Sequence, residues 1–416
     1  MTMTMRTDLP APTPRPRDKE TPLRDLRIAD FSHFIAGPLA TMILADMGAE
    51  VIKVESAAGG DNFRSYPPAI GGEGVPYLWA NRNKKSVALD LKSRAGRAVA
   101  LDLVAKADVV VENFSTGVME RLGLDYPTLA RDNPRLIYAS ISSYGRSGPY
   151  ANRIGFDPVV QAESGFISMT GDPEQQPGFR AGPSIMDIAT AMMTANAIQG
   201  AYIARQRTGR GQLVETTMIE TAVNMLGNFS LSYLATGVSP TRFGNTQSTA
   251  APVGCFDTAT GPIYLACAND RTFQRLARDV LLDPALADDP AYATSAGRRD
   301  NQQRLLDDIR GRLRQQDRET WLRKMHEAGV PSGAIRTVGE AMDAPEIREL
   351  GLVSGIPHPT LGTIPNVGMP MHFSDTPVAD PVAAPLLGAD TETVLRDVLG
   401  YAPEHIATLR TQGVFG

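Results

Sequence analysis

Asp187 is the residue whose type and setting most clearly invite chemistry. It is the only charge between Gly182 and Ile203, and it heads a run of Ala, Met and Ile that ends in the basic, glycine-rich TGRGQ. Two readings of this carboxylate compete. As a helix cap it fits S-x-x-[DE] loosely with Ser184 and gains from the exposed N–H groups and dipole of a first turn. As a carboxylate at the mouth of a buried helix, shielded from water, it is a nucleophile or a base. Residues 188–203 carry apolar side chains on nearly every face and no proline, which predicts a helix buried on most sides.

Other reactive residues offer less. His33 follows an apolar strand, where a lone histidine is more often a hydrogen-bonded structural group than a base. Ser32, Ser142 and Ser143 lack the G-x-S-x-G elbow of a serine hydrolase. Cys255 and Cys267 are the only cysteines, too few for a disulfide framework, and the five histidines show no ligand-spaced pair. A reducing cytoplasm and no metal are the expectation. Basic residues gather at NRNKK (81–85), with Lys92, Arg94, Arg97 and Arg121 beyond. They could hold the phosphates of a ligand near strand ends, or simply form a solvated face. Phe114 beside Asn113 suits a flat heterocycle or an amide, or else is a core aromatic ending a strand.

The elements that must position these residues alternate between strand and helix. Strands are predicted at 26–31, 51–55, 109–112 and 136–142, and helices at 37–47, 94–107 and 126–131. This pattern is that of a parallel, doubly wound α/β sheet, whose ligands bind beyond the carboxyl ends of the strands. Those ends, 32–37, 56–64, 113–117 and 143–148, are rich in Gly, Ser or Asn. None holds G-x-G-x-x-G or G-x-x-x-x-G-K-[ST], so dinucleotide and P-loop readings lose their main support.

After Asn224 the texture changes. An apolar helix is expected at 225–236, a polar loop FGNTQS at 243–248, a hairpin over 254–269 turning at Thr260-Gly261, and charged amphipathic helices at 273–282, 300–315 and 319–328. From Val330 the chain is extended and proline-rich, and a last amphipathic helix is predicted at 391–399. Residues 1–22, proline-rich and basic without an apolar core, read as a disordered tail rather than a secretory signal. The net charge of −5 argues against nucleic acid or a membrane surface as the main partner, and no apolar run reaches membrane-spanning length.

Taken together, LRIADFSHFIAGPLATMILADMGAEVIKVE, GGDNFR, NRNKKSVALDLK, ADVVVENFSTGVMERLG, NPRLIYASISSYGRSGP, GFDPVVQAESG, MDIATAM, RTGRGQ and HPTLG resemble the family III CoA-transferases, over almost the whole chain from Leu23 to Tyr401. The resemblance implies an interlocked homodimer. Each chain would have a Rossmann-like large domain built from both chain ends and a smaller α+β domain between. The corresponding division is 1–22 tail, 23–224 large domain, 225–329 small domain and 330–416 linker and return.

It also implies that Asp187 is the nucleophile, and that CoA is met by Ala36, Leu89, Lys92, Asn113, Phe114, Arg121, Phe156 and Asp157. Oxyanions would be held by the loop Gly244-Asn245-Thr246. Coenzyme A thioester enters as substrate, with a carboxylic acid as the other partner, and no permanently bound cofactor is expected. Phe156 stands where the racemase branch of the family carries a proton-abstracting histidine, which leaves α-proton chemistry on a 2-methylacyl-CoA as the lesser alternative; a non-catalytic CoA-binding protein is another. Ile35 and Ser56 replace a glutamine and an arginine of formyl-CoA transferase, which weakens formyl-CoA and oxalate as the pair.

Overall fold

A computed structural model describes residue 6 and residues 8–415. Six parallel strands form the main sheet: β1 (Arg27–Asp30), β2 (Glu50–Ser56), β3 (Lys84–Leu89), β4 (Val109–Glu112), β5 (Ile137–Ser142) and β6 (Leu213–Thr217). Their spatial order is β3-β2-β1-β4-β5-β6. The winding therefore reverses between β1 and β4, which opens a crevice at the carboxyl ends of those two strands. Val109, Val110 and Val111 are buried on both faces, as a parallel strand between helical layers requires.

One layer contains α1 (Ala36–Asp46) and α4 (Ile185–Thr208), whose Ala191, Ala195, Ile198 and Ala201 pack with α1 against the sheet. The other contains α2 (Arg94–Ala105) and two helices from the chain's end, Thr391–Asp397 and Pro403–Thr411. Ser93 caps α2 by accepting from the Gly96 N–H at 2.9 Å. Helix α3 (Asp157–Glu163) packs against α4 and α5 (Met218–Met225), and β6 leads into α5 through a Thr217 cap.

The terminal segment covers the open edge of β3. Ser86 N–H donates to Asp390 Oδ2 at 2.9 Å, Ala88 N–H to Thr391 Oγ1 at 3.1 Å, and Asp90 N–H to the Val414 carbonyl at 2.8 Å. These bonds supply partners for an edge that would otherwise be free to pair with another chain.

The chain divides into two compact units. The first comprises 1–164, 182–227 and 345–416; the second comprises 165–181 and 228–344. Three boundaries differ from the sequence-based division, the smallest difference being at 227 rather than 224. Residues 165–181 belong to the second unit, where the buried Arg242 donates to the carbonyls of Ser168, Asp172, Gln175 and Pro177. The return to the first unit comes at 345 rather than 330, because Ser332–Ala334 adds a strand to the hairpin of Val253–Asp257 and Pro262–Ala266. That small antiparallel sheet packs on helices Gln302–Leu313 and Arg318–Glu327 through Phe256, Ile263, Leu265, Leu305, Ile309 and Trp321.

Several elements depart from expectation. The strands β3 and β6 were not anticipated: the first opens with two lysines and the second, LVETT, has Glu215 at its centre. The single helix expected at 225–236 is broken at Gly227, in the left-handed region at φ +57°, so α5 ends and Asn228–Thr236 begins anew. The helix expected at 273–282 is Asp270–Arg275 continued by a π-helical turn, Leu276–Val280.

The long α4 is not buried on most sides, since Met192, Met193 and Ile203 are half or more exposed. Residues 1–5 and 7, the start of the expected disordered tail, lie outside the described residues. The remainder of that stretch is irregular but pinned, with the Pro10 carbonyl accepting from Gly355 N–H and Arg15 N–H donating to Asp380.

Candidate active site

The crevice between β1 and β4 widens into a cleft of about 510 Å³ that is lined by the strand-end segments 33–36, 113–116 and 141–146, the loop 151–158, and Ser184, Asp187 and Met218. Six expected site residues meet there: Ala36, Asn113, Phe114, Phe156, Asp157 and Asp187. The carboxyl ends of two strands, β1 and β4, bring the first three together from positions far apart in the chain, as the strand-end rule anticipates.

The walls are rigid for identifiable reasons. Asn113 Oδ1 accepts from the His33 N–H at 2.9 Å and Asn113 Nδ2 donates to the His33 carbonyl at 2.8 Å, so the amide ties the end of β4 to the end of β1. The clamp uses one lone pair and one N–H of the amide, and Asn113 lines the cleft. Phe114 packs its ring on His33, with centroids 5.3 Å apart, and His33 stacks edge-on against Phe34 at 4.8 Å. Burial lowers the His33 pKa, which favours the neutral imidazole and a structural role.

Phe34 holds φ +64°, uncommon for a bulky side chain, and its N–H donates to Asp61 Oδ1 at 3.3 Å. Asp61 is itself ion-paired with the buried Lys53 at 3.0 Å. This chain of contacts presents Phe34, Phe63 and Tyr66 to the cleft, and Phe156, exposed, crosses Phe34 at 6.2 Å. An aromatic at 156 offers no proton-transferring atom. Neither Phe34 nor Asp61 was singled out from sequence; a positive φ at a phenylalanine leaves no local signature.

The head of α4 differs from the sequence-based picture. Ser184 makes no capping bond with its side chain. Asp157, 2% exposed, fills the position instead: its Oδ2 accepts from the Met186 N–H at 2.7 Å and lies 3.4 Å from the Asp187 N. Its Oδ1 accepts from Gln161 Nε2 at 2.5 Å. Asp187 is therefore not the cap, and it does not keep an ordinary carboxylate pKa by virtue of the helix terminus. Burial foremost, and then the neighbouring Asp157 charge, push it up to about 7.

The basic run 81–85 is absorbed by the fold. Arg82 pairs with Asp46, Lys84 with Asp30 at 3.1 Å in full burial, and Lys85 with Glu50 at 2.6 Å. Neither a phosphate site nor a solvated face describes it, because Asn81, Arg82 and Lys84 are buried and Asn83 and Lys85 are only partly exposed. Arg146, which no sequence argument assigned, stitches β4 to β5: it donates to Glu112 at 2.8 and 3.0 Å and to Ser140 Oγ at 2.9 Å.

Leu89, Lys92 and Arg121 do not line the cleft. Leu89 is a fully buried core residue at the end of β3, while Lys92 and Arg121 are exposed, on the turn before α2 and on helix Val118–Leu122. Gly244, Asn245 and Thr246 lie in the second unit, in a turn where Thr246 N–H donates to the Phe243 carbonyl at 3.1 Å and Gly244 has φ +59°. Among the described residues no group of three or more His, Cys, Asp or Glu is placed to hold a metal, and no helix is long and apolar enough to cross a membrane.

Comparison with known proteins places this architecture. A sequence model of CoA-transferase family III matches residues 23–391. The chain is 38% identical over 331 residues to the acetyl-CoA:oxalate CoA-transferase of Acetobacter aceti, covering 80% of this chain and 85% of the relative. It is 34% identical over 395 residues to the succinyl-CoA:glutarate CoA-transferase of Homo sapiens, covering 94% and 90%. A crystal structure of a CAIB/BAIF family protein from Brucella suis matches with a TM-score of 0.83 at 34% identity, over 91% of this chain and 100% of that one. The chain belongs to the family III CoA-transferases and is an enzyme of that family.

Proposed function

We propose that this enzyme transfers CoA from an acyl-CoA donor to a small organic or dicarboxylic acid, with Asp187 as the covalent catalyst and a succinyl-type thioester as donor. The observation that carries the reading is the placement of Asp187: a largely buried carboxylate at the head of α4, opening on a cleft at the switch point of a parallel sheet. The names of the relatives, which pair acetyl-CoA with oxalate and succinyl-CoA with glutarate, support a dicarboxylic acceptor.

In this reading the Asp187 carboxylate attacks the thioester carbonyl; the C–S bond breaks, and CoA leaves as thiolate from a mixed anhydride. The thiolate then attacks the aspartyl carbon, releasing the donor acid and forming an aspartyl-CoA thioester. The acceptor carboxylate attacks that thioester, again expelling the thiolate, which finally takes the acceptor's acyl carbon and restores Asp187. Each step exchanges one oxygen for one sulfur on an acyl carbon, so electrons balance without a redox partner. Ala36, Asn113, Phe114 and Phe156 at the cleft, with the exposed Lys92 and Arg121 beyond it, contact CoA.

The working form is a cytoplasmic, interlocked homodimer. The exposed Met192, Met193 and Ile203 of α4 support a partner surface, as do Phe229, Leu231, Tyr233 and Leu234 of helix Asn228–Thr236. Mass spectrometry after mixing enzyme with succinyl-CoA tests the chemistry: an acyl, CoA or hydroxylamine-derived adduct is expected on Asp187. An adduct on another residue, or full turnover by Asp187→Ala, refutes it.

A further inference from the structure

Asp157 occupies an unusual position: its carboxylate sits against the first turn of a helix that already carries an acid. The N–H groups of a first helical turn lack intrahelical partners and need an acceptor. Here none comes from the residue preceding the helix, because the Ser184 side chain makes no such bond. The acceptor is Asp157 Oδ2, 29 residues away, at 2.7 Å from Met186 N and 3.4 Å from Asp187 N. Its other oxygen is held by Gln161 at 2.5 Å, and Asp157 opens α3 with Pro158 behind it, which limits its freedom further. A residue 2% exposed, with both oxygens engaged, is poorly placed to serve a phosphate-bearing ligand of the same charge.

We infer that Asp157 is a positioning residue: its carboxylate anchors the first turn of α4 and so fixes where Asp187 points in the cleft. This inference rests on the assignment of Asp187 as nucleophile. A neutral Ser or Asn would cap a helix about as well. The choice of a carboxylate adds a negative charge beside Asp187, and that charge contributes, after burial, to the raised Asp187 pKa. The other titratable or charged groups lining the cleft are His33, Tyr66, Tyr144, Arg146 and Arg153; Arg146 is engaged by Glu112 and Arg153 by Glu163.

The test compares Asp157→Ala, Asp157→Asn and Asp187→Ala in the full-length enzyme, with succinyl-CoA and acetyl-CoA as donors and glutarate and oxalate as acceptors. Asp157→Ala is expected to lower kcat about ten- to a hundredfold, the scale on which a misplaced reacting group loses rate, with KM for the acyl-CoA little changed. Free CoA, titrated calorimetrically, should bind it as it binds wild type. Asp157→Asn keeps an acceptor oxygen for the Met186 N–H, so it should recover much of kcat while moving the acid limb of kcat/KM to lower pH.

An unchanged kcat in Asp157→Ala overturns the inference. So does a loss of CoA affinity as large as the loss of kcat, which would make Asp157 a ligand contact, or an acid limb in Asp157→Asn that stays in place. If Asp157→Ala does not fold, Asp157→Asn alone carries the decision through its pH profile. Full activity of Asp187→Ala would instead remove the nucleophile assignment, a failure distinct from these.

Discussion

Replacing Asp187 by Asn should make the protein more stable at pH 8 while abolishing exchange. The carboxyl moves from an ordinary 3.8 to about 7 on folding, so the folded state binds its proton more tightly than the unfolded chain. Stability therefore falls as pH rises between those values and levels off above about 7, the reverse of the usual salt-bridged aspartate. At roughly 1.36 kcal/mol per pH unit, the full gap corresponds to about 4 kcal/mol, an upper bound because water penetration and local relaxation soften it. Between pH 5 and pH 8 the wild type should lose ~2 kcal/mol that Asp187→Asn does not lose.

The assay is urea unfolding of both proteins at the two pH values at fixed protein concentration, since association of copies shifts apparent stability. Asn removes the ionisation while nearly keeping the shape, so the pH-dependent part of the difference isolates the charge. A stability difference that is the same at both pH values would refute the argument that Asp187 is desolvated beside another carboxylate. A wild type that gains stability toward pH 8 relative to the variant would reverse its sign.

Two further perturbations probe the cleft and its periphery. A methyl group at Gly37 would overlap the side chain of Ser32, which Asp30 holds in place at 2.5 Å, so Gly37→Ala should displace the turn bearing Ala36. It is expected to cost ~1–3 kcal/mol of stability and to raise KM for the acyl-CoA, and a normal KM would show that this turn does not shape the site. Arg121→Ala, at an exposed position outside the cleft, should weaken CoA binding about tenfold with kcat nearly kept, the scale of one charge-assisted hydrogen bond. Unchanged CoA affinity in that variant would remove Arg121 from the binding surface.

The sheet was legible where burial on both faces wrote an unbroken β-branched or apolar run. Val109–Glu112 and Ile137–Ser142 are such strands, and the alternation of strand with helix conveyed the doubly wound order. Lys84–Leu89 escaped because its opening lysines imitate a surface segment, whereas Lys84 is buried against Asp30 and balanced by charge rather than by exposure. Leu213–Thr217 escaped because it is an edge strand with half-exposed side chains. The division into units was blurred at 165–181, whose membership depends on the hydrogen bonds of Arg242, some 65 to 74 residues on. The chain itself carried the site's address, since Ala36, Asn113 and Phe114 follow predicted strands.

By itself, the amino-acid sequence determined the parallel α/β class, the strand ends that face the cleft, the isolation of Asp187 at the head of a helix, and the family resemblance. Those properties follow from local patterning and from the order of segments along the chain. Tertiary structure alone decided that Asp157 rather than Ser184 receives the N–H groups of α4, that Asn113 clamps His33, and that the basic run 81–85 is spent on internal ion pairs. It also sets the upward shift of the Asp187 pKa, through burial and then the Asp157 charge. The reason is that hydrogen-bond partnership and desolvation depend on which atoms, tens of residues apart, the packed fold brings within a few ångströms, and no pattern in one segment encodes that proximity.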